Sequence, residues 1–260
     1  MDITAELTFV IPVRIDSIER KENLDTVLSY LSTNTDASII VLEADSEQRY
    51  NWADCSEKVK YIFVESKDPI FHKTRYVNRL LRVAETDIVS MWDADIIIHT
   101  SQIINAVEMI KGGVTLCYPF DGCFYFLNPE QSRSARADII SVLDDQGQVE
   151  IFTRLGRTSS GGTFVANKKK YLELGGDNEN FYGWGLEDTE RLKRFEILEE
   201  TISWIDGPLY HLYHPRGINS CFDNGMREIH GLKEFVRVCK MDKEQLTDYV
   251  NTFPWNKNNQ

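Results

Sequence analysis

The residues most able to do chemistry are Trp92-Asp93-Ala94-Asp95, where the apolar run 88–91 delivers two carboxylates separated by one residue. The pair is read as diverging: one acid holds a divalent cation such as Mg²⁺ or Mn²⁺, the other reaches a ribose or a water of the metal shell. A lone D-x-D triplet is weak, since roughly one or two arise by chance in an Asp-rich chain, and its bland reading is a solvated strand end. Position at a strand's carboxyl end is what raises its weight. A second constellation is FYGWGLED at 181–188. Its glycines permit unusual backbone, Tyr182 and Trp184 offer flat faces on which a sugar stacks, and Glu187 and Asp188 open a helix whose dipole favours the anion. Asp188 or Glu187 can then take a proton from a substrate hydroxyl; the plainer alternative is a capped helix beside a core tryptophan. His211 and His214, two of five histidines within one tetrapeptide, could complete a metal site begun by a carboxylate. Arg14, Lys73 and Arg75 lie in loops expected on the same side, where they could pair with phosphates, although each alone reads as a solvated charge.

Those residues need a scaffold that gathers strand ends. Runs 7–13, 38–43, 59–64 and 88–92 are apolar and β-branched, and 19–31 and 73–84 between them carry apolar residues at helical spacing. Alternation of this kind predicts right-handed crossovers and a mostly parallel, buried sheet, whose ligands sit beyond the carboxyl ends of its strands. A helix is expected over 101–111 and a strand over 114–118. Short β pieces follow at 124–127 and 148–152, around a polar stretch 128–136 expected to be loop. Beyond these come a strand at 163–167, helices at 168–174 and 187–198, a strand-like run 201–210 and a helical tail 224–250. With no repeat or linker, the expectation is one α/β domain over 1–220 with a helical extension 221–260 packed on it.

Composition narrows the function. The net charge of -12 repels polyanions, which argues against wrapping nucleic acid or lying on an anionic membrane. No apolar run approaches the roughly 20 residues of a membrane span, and no leader is visible, so a cytoplasmic location is expected. Cys55, Cys117, Cys123, Cys221 and Cys239 form an odd set without C-x-x-C and are read as mostly buried, reduced thiols.

In order along the chain, IPVR at 11–14, FHKTRYVN at 71–78, WDAD at 92–95, GGTFVANKKKYLELGG at 161–176 and FYGWGLED at 181–188 resemble segments of GT-A fold glycosyltransferases. The likeness is to family 2 enzymes joined to the β-1,4-galactosyltransferase carboxyl-terminal module. It spans about residues 7–216, and the glycine-aromatic-acid pair of segments is its most specific part. The resemblance implies a Rossmann-like GT-A domain and Mn²⁺-dependent, inverting transfer from a UDP-sugar donor to a saccharide acceptor, with Mg²⁺ as an alternative ion. It implies that Asp95 and His214, with His211 where some relatives have methionine, hold the metal. Asp93 and Ala94 serve the nucleotide ribose or metal shell, and Pro12, Arg14, Glu43, Asp45, Phe71 and Lys73 the uridine diphosphate. Asp188 becomes the general base, with Glu187, Trp184, Tyr182 and Gly162 shaping the sugar pocket, and residues 128–160 an acceptor-side loop. Glu43-Ala44-Asp45-Ser46 stands where family 2 has D-D-x-S, one residue out of pattern. Ser159 and Ser160 stand where galactosyltransferases carry a bulky tyrosine, so the donor is expected to be galactose or N-acetylgalactosamine. Surface polysaccharide synthesis, with peripheral attachment to the inner membrane, follows from family habit. Two rivals are a phosphoryl-transfer enzyme using an aspartyl nucleophile, whose D-x-D normally lies on the first strand rather than the fourth, and a UDP-sugar-binding protein without turnover.

Overall fold

Runs 7–13 and 88–92 have almost no polar face, and both become central strands. The computed structural model describes residues 3–51, 56–144, 150–152, 159–221 and 225–256. In chain order its elements are β1 (Leu7–Val13), α1 (Ile18–Asn34), β2 (Ser38–Asp45), β3 (Val59–Glu65), α2 (Lys73–Val83), β4 (Ile88–Trp92), β5 (Ile96–Ile97), α3 (Thr100–Lys111), β6 (Leu116–Tyr118) and β7 (Phe124–Phe126). They continue with α4 (Pro129–Ala137), α5 (Ile139–Asp144), β8 (Glu150–Phe152), β9 (Thr163–Asn167), α6 (Lys168–Glu173), α7 (Glu187–Ile197), β10 (Ile202–Trp204), β11 (Leu209–His211), α8 (Gly225–Cys239) and α9 (Lys243–Asn251).

The larger sheet has the order β10-β6-β9-β4-β1-β2-β3. Strands β3, β2, β1 and β4 are mutually parallel, β9 runs antiparallel to both β4 and β6, and β10 is parallel to β6. The mostly parallel α/β expectation therefore holds. Every residue of β1 and β4 is buried, as parallel strands covered on both faces must be. The chain winds outward from β1 to β3, and α2 then carries it back past β1 to β4. This reversal opens a crevice between the carboxyl ends of β1 and β4, the place where doubly wound sheets bind ligands. Pro12 sits beyond the last β1–β4 pair, Val10 with Met91, and opposite Leu42 near the end of the β1–β2 ladder.

A smaller sheet, β5-β11-β7-β8, closes the other side. Its antiparallel β5–β11 pairing sets His211 opposite Ile96, immediately after Asp95, and Leu212 N donates to Asp95 O at 2.8 Å. In this way a register decides where the imidazoles fall.

Several sequence expectations need correction. Polar residues 128–136 form helix α4, not a loop, because Asn128 caps it with a reciprocal Gln131 bond, Pro129 occupies the first turn, and Ser132 and Ala135 are buried. The run 201–210 is two strands in different sheets. Gly207, at φ +119, and Pro208 break it, and a Cβ on Gly207 would come within 2.8 Å of the Gln102 side chain. The strand expected over 114–118 is shorter, Leu116–Tyr118. The tail is two helices, with Asp242 capping α9. Leu198, Val238, Leu246, Val250 and Phe253 form a small apolar cluster that packs these helices against the end of α7. Of the four described cysteines, only Cys117 is buried, in the core of β6; Cys123 and Cys221 are partly exposed and Cys239 exposed, none of the four in a disulfide. Burial pushes the Cys117 thiol up to about 12. Cys55, Asn224 and residues 145–149 and 153–158 of the segment 128–160 lie outside the described residues. Among the described residues no helix is long and apolar enough to cross a membrane.

Candidate active site

The two acids of 92–95 do diverge, but strand alternation is not the reason, since residues two apart on a strand share a face. The chain leaves β4 at Trp92 and turns, with Ile96 N donating to Asp93 O at 3.3 Å. Asp93 then faces Lys73, whose Nζ lies 2.7 Å from Oδ1 and 3.0 Å from Oδ2. Asp95 is 2% exposed and faces His211, His214 and Arg20. Gly162 O accepts from Asp93 N at 2.9 Å and so ties the turn to the start of β9. Only glycine fits there: φ is +89°, and a Cβ would crowd Leu209, Phe124 and Ile96 at 3.0–3.3 Å.

The ligand atoms of Asp95, His211 and His214 lie within 4.8 Å of one another. His211 Nε2 is 3.6 Å from Asp95 Oδ1 and His214 Nε2 is 3.4 Å from Oδ2. Burial, with the neighbouring His214 and Arg20, lowers the His211 pKa to about 4 against the pull of Asp95, so its imidazole is neutral at physiological pH, as a metal ligand must be. Its Nδ1 is buried without a hydrogen-bond partner among the described residues. Burial acts to raise the Asp95 pKa, but His211, Arg20, His214 and Lys73 together hold it below the ordinary carboxylate range. A carboxylate and two imidazoles in one buried cup fit a first-row divalent ion such as Mn²⁺ better than Mg²⁺, whose ligands are oxygens.

Across the cleft, the turn 183–186 presents the acids of α7. Gly183 and Gly185 have φ of +93° and +106°, and Leu186, a branched residue, is left-handed at φ +70° as the helix N-cap. Such a conformation costs about 1 kcal/mol or more and persists only where its surroundings enforce it. One oxygen of Asp188 is clamped by Arg191 NH1 at 2.7 Å. Arg191 is itself fixed by Asp177 at 2.9 Å and Tyr171 at 2.8 Å, and stacks over Phe164 at 4.5 Å. The other oxygen, Oδ2, lies over Gly161, where a Cβ would approach to 2.8 Å. Lys73 stands between the acidic groups: burial works against its charge, yet Asp93, Asp188 and Glu187 hold its pKa above the ordinary value. Asp93 rises to about 6, from burial first and then from Asp95 and Asp188, against Lys73.

Glu187 rises to about 7, chiefly from burial and then from the Asp188 charge. Between the ordinary value near 4.5 and 7 the folded state binds the extra proton, so this group makes stability fall as pH rises through that window, by ~3 kcal/mol in all. His211, with its lowered pKa, acts with the opposite sign between about 4 and 6.5. Comparing wild type with Glu187→Gln cancels the His211 part. In metal-free urea titrations, the stability of wild type relative to the variant is expected to drop by ~3 kcal/mol from pH 4.5 to pH 8, and equal pH dependence of the two proteins would refute the assignment.

One cleft is lined by Lys73, Asp93, Gly162, Trp184, Glu187, Asp188, His211 and His214, with Ser159, Ser160 and Gly161. Pro12 and Ala94 are buried. Arg14, Phe71, Tyr182 and Asp68 gather beside the cleft. Arg14 Nε donates to Ala44 O at 2.8 Å and NH1 to Asp68 O at 2.9 Å, its guanidinium lies 5.6 Å from the Phe71 ring, and its buried NH2 has no partner among the described residues. Tyr182 OH donates to Asp68 at 2.6 Å. Glu43 is not presented to this cleft. Fully buried, it accepts from Arg49 N at 3.0 Å, from Tyr50 N at 3.1 Å and from the Tyr61 hydroxyl, so it braces its own loop. Asp45, 9% exposed at the end of β2, bonds Ser46 N and approaches Arg49 at 3.4 Å. Sequence reasoning missed Arg20 and Arg191 and took Gly161 only as the first residue of the segment 161–176. The three-residue spacing of Asp188 and Arg191 on one helix was a usable signal for Arg191; nothing local marks Arg20.

A family model described as the N-terminal domain of galactosyltransferase matches residues 152–215. No curated protein sequence matches the chain. Among solved structures, it is similar to glucosyl-3-phosphoglycerate synthase from Mycobacterium tuberculosis in complex with Mn²⁺, UDP and phosphoglyceric acid, at 15% identity and TM-score 0.54, covering 92% of this chain and 82% of that one. The catalytic domain of Drosophila β-1,4-galactosyltransferase 7 with xylobiose aligns at 13% identity and TM-score 0.53, over 86% and 78% of the two chains. A mannosyltransferase from Pyrobaculum calidifontis with GDP-mannose and Mn²⁺ aligns at 17% identity and TM-score 0.56, over 96% and 71%. The fold is that of the GT-A glycosyltransferases.

Proposed function

We propose that this chain is an inverting, Mn²⁺-dependent glycosyltransferase that moves a hexose or N-acetylhexosamine, galactose or N-acetylgalactosamine foremost, from a UDP-sugar to a hydroxyl of a saccharide acceptor. The observation that carries the reading is the clustering of Asp95 with His211 and His214, and the convergence of those two imidazoles and Asp188 on one cleft. A bound divalent cation supplies neutralisation of the charge gathering on the departing diphosphate. Asp95, His211 and His214 would hold it, and the Lys73 ammonium adds a second positive charge on the same side. Asp188 Oδ2 takes the proton of the acceptor hydroxyl as its oxygen attacks the anomeric carbon opposite the diphosphate; one displacement inverts that centre. Clamping the other oxygen to Arg191 keeps the base aimed. Trp184, 39% exposed in the cleft, offers a face for the sugar, and the small Ser159 and Ser160 leave room for an N-acetyl group. Arg14, Phe71 and Asp45 are the reading's uridine side, with Glu43 acting through the loop it braces. Synthesis of a surface polysaccharide at the inner membrane belongs to the same proposal.

The test is a panel of UDP-sugars with saccharide acceptors, followed by mass detection of free UDP and glycosylated product with and without Mn²⁺. Metal-dependent release of UDP together with product is the expected result. Absence of stabilisation by any UDP-sugar plus Mn²⁺ in thermal shift, where a native-state ligand must raise Tm, would sink the proposal.

A further inference from the structure

Arg20 enters the metal cup from the first turn of α1, an element that contributes nothing else to it. Its NH1 lies 2.5 Å from Asp95 Oδ2, the oxygen that His214 Nε2 approaches at 3.4 Å. Its NH2 comes within 3.2 Å of His214 Nδ1. That nitrogen also lies 2.9 Å from Pro215 O, a bond it makes only by carrying the proton, which leaves Nε2 bare for a metal. The Arg20 contact with Nδ1 is therefore a close approach, and its bond is to Asp95. The Arg20 side chain is 16% exposed and Nε lies 3.4 Å from the more open Asp16, so the guanidinium spans the cup and its rim. With no metal present, Arg20 is the permanent positive charge in direct contact with Asp95. A divalent ion taking Asp95 would put two like charges within a few ångströms in a buried setting, where such repulsion is large.

We propose that Arg20 is a resident counter-cation of the metal cup, displaced from Asp95 by the arriving divalent ion and turned onto the diphosphate that the ion brings with it. This rests on the glycosyltransferase reading above for the identity of the anion, and on the Arg20–Asp95 geometry for the displacement. A guanidinium fork suits either anion, since carboxylate and phosphate both accept paired N–H donors. Two opposite effects follow. Before metal binds, Arg20 competes for Asp95 and weakens the site's hold on a cation. Once nucleotide is present it adds charge-assisted bonds and tightens the complex.

The experiment uses Mn²⁺ alone and then UDP, each by calorimetry, on wild type, Arg20→Met and Arg20→Lys, with circular dichroism to establish that each variant is folded. Arg20→Met is expected to bind Mn²⁺ about tenfold tighter than wild type, and to bind UDP at saturating Mn²⁺ about tenfold weaker, the scale of one charge-assisted contact. Arg20→Lys, which keeps the charge without the fork, should fall between the two in both measurements. Unchanged or weaker Mn²⁺ binding by Arg20→Met would overturn the proposal, because Arg20 would then be building the cup rather than competing for it. Unchanged UDP affinity would overturn its second half. Wild type that binds neither Mn²⁺ nor UDP would remove the glycosyltransferase reading and this inference together, whereas binding by wild type with no change in the variants removes the inference alone.

Discussion

Asp188→Asn is expected to lower kcat about 10²–10⁴-fold, the usual worth of a positioned general base, while leaving KM for the UDP-sugar within about threefold. The side chains are isosteric, so the amide can still sit beside Gly161, and the donor's uridine contacts are assigned to Arg14, Phe71 and Asp45, away from Asp188. What is lost is the capacity to accept the acceptor's proton. The Arg191 contact also survives, because the amide oxygen accepts from NH1 as the carboxylate does. Steady-state release of UDP in the presence of acceptor reads the effect, and calorimetry with UDP and Mn²⁺ shows whether binding is intact. Turnover equal to wild type would remove Asp188 from the role of base and leave its neighbour Glu187, near pKa 7, as the acid to examine.

Removal of the charged metal ligand should act differently. Asp95→Asn is expected to weaken Mn²⁺ binding at least about 100-fold, since even outer partners of metal ligands are worth 10–100-fold. Activity should fall with it and return partly at high Mn²⁺. Chelation of wild type is expected to abolish transfer reversibly. Asn keeps an acceptor for Arg20 but forfeits the ion pair, so a moderate loss of stability accompanies the substitution in the metal-free protein. Calorimetric titration of Mn²⁺ checks the first effect and thermal unfolding the second. Equal Mn²⁺ affinity in the variant and wild type would show that the Asp95, His211 and His214 cup is not where the cation binds.

The spacing of Asp93 and Asp95 gives two acids reading different ligands, but which acid meets which group is set by the turn after Trp92, which sends one toward Lys73 and the other into the imidazole cup. Glu43 and Asp45 read as two candidates for one task. The loop after β2 decides between them by using both oxygens of Glu43 for its own backbone and for Tyr61.

Local pattern was sufficient for β1, β2, β3, β4, α2, α3 and α7, whose apolar periodicity is a short-range property. It failed at 128–136, where polarity masked a well-capped helix, and at 201–210, where one apolar run serves two sheets.

The chain's own order of residues determined which chemistries were on offer: an acid pair at a strand end, a glycine-rich turn leading into acids, and imidazoles after an apolar run. Tertiary structure alone decided which of these meet. Asp95 and His214 are brought together by the β5–β11 register, Asp188 by the β4–β9 ladder and the strained turn 183–186, and Arg20 by the first turn of α1. Periodicity reports the face a residue occupies within its own element, because that follows from backbone geometry a few residues long. The distance between groups on different elements follows instead from strand order and register, which are settled by burying the whole core at once.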